Sequence, residues 1–69
     1  MTGNALRDWL TQSRMTQTAF AARVGCPQPR VAEAVARGEL EVRTHWGARF
    51  EQVIGMVEWE DRQRLGESK

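Results

Sequence analysis

The sequence has few of the residues that cross-link small domains or bind metals in them. Its 69 residues include one cysteine, one histidine and two prolines. A single cysteine excludes an intrachain disulfide, and Cys26 with His45 falls short of the four ligands of a structural zinc site. The same scarcity leaves no set of nucleophile, base and orienting group. We therefore expect no metal site, no cofactor and no catalytic residues.

Long apolar stretches are also missing. No run approaches the roughly 20 apolar residues of a membrane-spanning helix, and none follows Met1 as the core of a secretory signal. We expect a cytoplasmic chain with no membrane partner. The length allows one domain, residues 1–69, and a content of 41% hydrophobic and 28% charged residues is typical of a folded soluble domain.

The charge is unevenly distributed although the net charge is only +1. Residues 1–38 contain five basic and two acidic side chains, a balance of +3, whereas residues 39–69 contain five basic and seven acidic ones, a balance of −2. The first half is therefore better suited to an anionic partner than the second. The same counts are also expected of charges that only keep a chain soluble, so a function must be inferred from the sequence pattern.

Two short helices are predicted in the first 25 residues. Thr16 offers a hydroxyl N-cap for the second helix, and Gly25 can adopt the left-handed conformation that ends it. Met15 and Phe20 flank this start with the spacing of a hydrophobic staple. The first helix, over about residues 4–13, is indicated by apolar side chains at i, i+3 and i+4, namely Leu6, Trp9 and Leu10.

A third helix is predicted between a proline turn and a glycine. Cys26 and Pro27 follow Gly25 as an apolar residue and a residue of fixed φ, which suits a tight turn. Pro29 is tolerated in a first helical turn, where its missing amide has no intrahelical partner. Gly38 then ends the helix.

Residues 40–46 leave two alternatives open. Apolar and polar residues alternate there as in a strand, and Gly47 could turn a hairpin. The competing pattern has helical spacing from Trp46 onward, with Thr44 as a cap and Gly55 as a terminator, and it is longer. We favour the helix, followed by a short fifth helix in the charged segment after residue 58.

Two segments resemble a known family. Residues 16–38, TQTAFAARVGCPQPRVAEAVARG, resemble the helix-turn-helix of the Cro and phage-repressor family. The shared features are the leading Thr-Gln, the Ala and Gly at the fifth and ninth motif positions, and apolar Val31 at the fifteenth. The segment VRTHWGARFEQVIGMVEWEDRQR resembles the second half of the all-helical Cro proteins and YdaS-like regulators.

The resemblance implies a fold and a division of the chain. It implies an all-α, lambda-repressor-like DNA-binding domain, a compact bundle of about five short helices. The helix-turn-helix would occupy about residues 16–38, and a helical dimerisation region would occupy about residues 44–65. The family pattern has a Ser or Thr where this chain has Pro27, a loss of one side-chain cap that costs about 1 kcal/mol.

The resemblance also implies which side chains contact double-stranded DNA. A glutamine amide can pair with both N6 and N7 of adenine, so Gln28 is the principal candidate for base readout, and Pro29 and Ala32 can pack on thymine methyls. Helix N-termini and arginines bind phosphate. The candidates for base readout are Gln28, Pro29, Arg30, Ala32 and Glu33. The candidates for phosphate contact are Thr16, Gln17, Arg37 and Arg43.

A homodimer is expected because one short helix contacts too few bases to select a site. The apolar surplus of the second half provides the candidate interface, although the same side chains could simply complete the monomer core. They are Trp46, Phe50, Val57 and Trp59. The leading hypothesis is a dimeric Cro-like repressor on a palindromic operator, in a phage or another mobile element. The alternative is an antitoxin-like or anti-repressor module whose partner is a protein, a toxin or a repressor.

Overall fold

The computed structural model describes residues 1–67 of the chain, and within them it contains only α-helices and their connections. The elements are α1 (Gly3–Gln12), α2 (Gln17–Val24), α3 (Gln28–Ala36) and α4 (Thr44–Glu67). The first three helices confirm the helices expected from apolar spacing and capping residues. Helices α1 and α2 both pack against α3, and α4 lies against α2.

The prediction of about five helices is wrong, because α4 continues without a break through Gly55. A glycine ends a helix by adopting a positive φ, and Gly55 does not do so. Phe50 and Val57, on either side of it, are both buried in the monomer. Their burial holds both halves of the helix to the body and outweighs the roughly 1 kcal/mol that an interior glycine costs.

The alternating segment before α4 does not form a hairpin. Within the described part of the chain it contributes one isolated antiparallel bridge, between Thr2 and Glu41. A two-stranded ribbon is only marginally stable by itself. The helical alternative therefore describes residues 44 onward correctly.

The core lies where the four helices meet. Phe20 and Phe50 are fully buried, and their ring centroids are 5.5 Å apart in an edge-to-face arrangement. Trp9 extends the cluster, 5.7 Å from Phe20. Leu6 and Val31 are also fully buried. Each such side chain contributes on the order of 1.5–3 kcal/mol by leaving water. This cluster therefore fixes the orientation of α3 relative to the other helices.

The start of the chain is attached directly to the end of α3. A Cβ atom on Gly3 would lie 2.5 Å from the carbonyl oxygen of Ala34 and 2.8 Å from the amide nitrogen of Gly38. This backbone approach requires glycine. The ammonium group of Met1 lies 2.9 Å from a carboxylate oxygen of Glu41, and that hydrogen bond is the main reason why the pKa of the amine is raised.

Candidate nucleic-acid interface

The start of α2 exposes unpaired backbone amides. The hydroxyl of Thr16 accepts a hydrogen bond from the amide of Ala19 at 3.0 Å, as its capping role requires. The amides of Gln17 and Thr18 precede it and have no acceptor within the helix. This end of α2 carries the positive end of the helix dipole, and it is suited to an anion.

The turn between α2 and α3 is tight. Gly25 has φ 84° and ψ 35°, and its amide donates to the carbonyl of Ala21 at 2.8 Å. Ala21 is buried, so its small side chain lets the two helices approach closely. Pro27 precedes α3 and provides no side-chain cap, as expected from the sequence. The turn brings the first residues of α2 and α3 side by side.

The two glutamines at these helix starts are directly bonded. Nε2 of Gln28 donates a hydrogen bond to Oε1 of Gln17 at 2.9 Å. Gln28 is exposed and Gln17 is half-buried. The bond uses one of the two N–H groups of Gln28, so its second N–H and its carbonyl oxygen remain available.

Arg30 is held between a carboxylate and an aromatic ring. Its guanidinium carbon lies 5.2 Å from the centroid of the Trp46 ring, and its Nη1 lies 3.8 Å from a carboxylate oxygen of Glu33. Arg30 and Glu33 are 44% and 59% exposed, so their ion pair is weak, about 0–1 kcal/mol. Arg30 can therefore exchange this carboxylate for a stronger anionic partner at little cost.

Two further arginines lie beside this pair. Nε of Arg37, at the end of α3, donates to the carbonyl of Glu41 at 2.6 Å, and Arg43 is exposed just before α4. The three arginines line a hollow of about 20 Å³, which has room for about one water molecule. The lining residues are Arg30, Glu33, Ala34, Arg37, Val42, Arg43 and Trp46.

The candidate DNA-contacting residues thus form two neighbouring groups rather than one. Thr16, Gln17 and Gln28 meet at the helix starts. Arg30, Glu33, Arg37 and Arg43 meet at the hollow. Pro29, between Gln28 and Arg30 in the sequence, is exposed in the first turn of α3. Ala32 is half-buried on α3.

The four side chains expected at a dimer contact are placed differently from one another. Phe50 is fully buried and Val57 is 7% exposed, so both belong to the core of the chain itself. Trp46 is half-buried and packs against Arg30. Trp59, at 58% exposure, is the only one of the four that presents most of its surface.

Three polar contacts between helices were not predicted from the sequence. Arg49 on α4 donates through Nε and Nη2 to the carbonyl of Val24, at 3.1 and 3.0 Å, and so caps the end of α2. Nε1 of Trp9 donates to Glu58 at 3.1 Å, and Arg23 contacts Glu60 at 2.7 Å. Their partners lie 25 to 49 residues away, beyond the reach of any local pattern.

Cys26, half-buried beside the turn, is a poor candidate for thiol chemistry. Burial raises the pKa of its thiol, and the nearby Arg30 and Arg49 offset this only in part. A raised pKa lowers the thiolate fraction at neutral pH and with it the reactivity. Within residues 1–67, no three His, Cys, Asp or Glu side chains are grouped as metal ligands would be.

The same part of the chain contains no helix with the length and apolar character needed to cross a lipid bilayer. Comparisons with protein-family models, with curated proteins and with solved structures find no match to this chain. The case for a function therefore depends on the arrangement of the residues described above.

Proposed function

We propose that the chain is a sequence-specific transcriptional repressor that binds double-stranded DNA through a helix-turn-helix formed by α2, the Gly25 turn and α3. The observation that carries the proposal is the hydrogen bond between Gln17 and Gln28. It joins the first turns of the two helices, so a phosphate bound at the start of α2 lies next to the exposed amide of Gln28. Backbone anchoring and base readout are then adjacent, as major-groove recognition requires.

Gln28 has the donor and acceptor that adenine requires. With one N–H bonded to Gln17, its second N–H can donate to adenine N7 and its carbonyl oxygen can accept from N6. The bond also restricts the rotamers of the side chain, which lowers the entropy cost of forming the pair. Gln28 is the principal base-reading residue in this proposal, and Pro29 and Ala32 contact thymine methyls.

The three arginines at the hollow supply the positive charge that attracts DNA. Arg37 and Arg43 bind phosphates, and the guanidinium of Arg30 leaves Glu33 to bind guanine or a phosphate while it stays near the Trp46 ring. Glu33 is then free to accept a hydrogen bond from cytosine N4, and it would repel a nearby phosphate. Because Glu33 is attracted to cytosine and repelled by phosphate, one register of α3 along the DNA is favoured over the others.

The repressor acts as a homodimer on a palindromic operator, by occupying DNA and without catalysis. Two-fold symmetry places the two copies of α3 about 34 Å apart, so the half-sites are centred about 10 bp apart. Selection of duplexes from a randomised pool by the wild-type chain tests this. A recovered palindrome with an adenine at a fixed position in each half-site supports the proposal, and recovery of unrelated sequences refutes it.

A second candidate function is an antitoxin-like or anti-repressor module that binds a protein. It is favoured by the exposed apolar side chains of Met56 and Trp59 on α4, which do not line the hollow beside the arginines. One chain can have both functions, but Met56 and Trp59 cannot contact a protein partner and a second copy of the chain at the same time. A chain that retains its fold, binds no duplex at low salt and forms a stoichiometric complex with a toxin or repressor would favour this alternative.

A further inference from the structure

The solvent face of α4 has a stripe without charge. The stripe runs for four turns on the side opposite Phe50 and Val57, and all its members are exposed. We call it the outer stripe, and it consists of Ala48, Gln52, Gly55, Met56, Trp59 and Gln63. Met56 and Trp59 are 55% and 58% exposed, so two large apolar side chains lie next to a glycine in water.

The acidic residues beside Trp59 do not interrupt this stripe. Glu58 bonds to Trp9 on α1, and Glu60 bonds to Arg23 on α2. Both carboxylates therefore point toward the body of the domain. Glu58 is thus hydrogen-bonded and Glu60 ion-paired on the body of the domain, away from the outer stripe.

Gly55 has no explanation within the monomer. A Cβ atom at this position would meet nothing within 4 Å, and the residue is in ordinary helical conformation. An interior helix glycine costs about 1 kcal/mol relative to alanine. Open space on the outside of a helix, next to a protruding tryptophan, suits the close approach of another surface.

We propose that the outer stripe is the contact between two copies of this chain, with the two α4 helices antiparallel about a two-fold axis. In such a contact each residue i meets residue j of the partner while j meets i. An axis at the level of residue 57 sets each Trp59 over Gly55 of the other copy. The same axis packs the two Met56 side chains near each other.

The charges along one edge of the stripe fit the same axis. Glu51 and Arg62 are both exposed and lie 11 residues, about three turns, apart on the same edge. The Met1 ammonium group lies 3.5 Å from one carboxylate oxygen of Glu51, and the Glu51 side chain is 60% exposed, so its carboxylate can accept a second partner. An antiparallel two-fold pairing brings equal edges together, so Arg62 of each copy reaches Glu51 of the other. The contact is therefore self-complementary in shape and in charge, which commits it to a second copy rather than an unrelated protein.

This inference names the dimer contact of the proposed DNA-binding function, but it is tested without DNA, so the two can fail separately. Sedimentation equilibrium of the wild-type chain should show a reversible dimer. Gly55→Gln, which fills the space with a better helix former, and Trp59→Ala should each raise the dimer Kd about 30-fold, the loss typical of an interface anchor. Both variants should retain the wild-type helical content.

Three further variants complete the test. Ala5→Gln, an exposed substitution on α1, should leave the dimer Kd unchanged. Arg62→Glu should weaken the dimer, and adding Glu51→Arg should restore it, which distinguishes this contact from general loss of stability. A wild-type chain that is monomeric up to about 1 mM would overturn the proposal. Folded Gly55→Gln and Trp59→Ala proteins that dimerise like the wild type would also overturn it.

Discussion

Gln28 donates its amide hydrogen to the amide oxygen of Gln17 across 2.9 Å, and this bond is the one direct polar link described between the first turns of α2 and α3. It connects the residue proposed to read a base with a residue at the helix start proposed to bind a phosphate. The two roles are therefore coupled, because loss of Gln17 leaves the amide of Gln28 less constrained. The consequences for specificity can be measured.

Gln28→Ala should cost about 1–3 kcal/mol of discrimination at one base pair per half-site and leave non-specific binding nearly unchanged. Gln17→Ala should give a smaller loss at the same base pair, because it removes only the restraint on Gln28. Binding of each variant to single-substituted operators gives both values. Gln12→Ala, an exposed glutamine on α1, is the control. An unchanged preferred base for Gln28→Ala would contradict the assignment.

Arg43→Ala and Arg37→Ala should weaken binding to all sequences by a similar factor. Each loses one phosphate contact, so the slope of log K against log salt concentration should become shallower by about 1. Salt titrations with operator and random duplexes provide the measurement. Arg7 is exposed on α1 and pairs with Asp8, so Arg7→Ala is the control and should keep the wild-type slope. Because Arg37 also bonds to Glu41, its variant needs a check of folding.

Alanine at two glycines should have opposite effects on stability. Gly3→Ala forces a Cβ into backbone atoms of α3 and should lower the free energy of unfolding by about 1–3 kcal/mol. Gly55→Ala meets open space within α4 and should raise it by about 1 kcal/mol. Urea denaturation at low protein concentration tests both without contribution from dimers. Equal signs for the two variants would contradict the described packing.

Arg49→Gln should lower the free energy of unfolding by about 1 kcal/mol, because the carbonyl of Val24 loses a charged donor. Arg49→Lys should recover only part of the loss, since lysine cannot present two N–H groups in a planar fork. Chemical denaturation of both variants, with Arg7→Gln as the matched surface control, gives the comparison. Wild-type stability in Arg49→Gln would show that this cap contributes nothing.

The part of the fold that could be predicted from sequence is the part with local signals. Thr16, Gly25 and Gly38 act on residues within one turn of themselves, and they mark the limits of α2 and α3 closely. Gly55 gives the same local signal, but α4 continues through it because Phe50 and Val57 are buried. That burial depends on contacts with other helices. A sequence pattern does not contain that information.

The candidate site also has a part that could be predicted from the sequence and a part that could not. The residue types for phosphate and base contact follow from the resemblance to Cro-type regulators, and the structure brings most of them into two adjacent groups. The assignment of apolar residues to a dimer contact depended on which side of α4 faces the core. Each step along a helix rotates the side chain by about 100°, so Val57 and Trp59, two residues apart, lie on nearly opposite sides; Val57 is buried and Trp59 is exposed.

The most direct test of the account is a titration of the wild-type chain with a duplex from the region upstream of its own reading frame, at two salt concentrations. The chain should bind this duplex saturably at low salt and more weakly as salt rises, because arginines displace counterions from phosphates. Random duplex should compete poorly. Binding that is unaffected by salt, or no binding at low salt to any upstream fragment, would contradict the account.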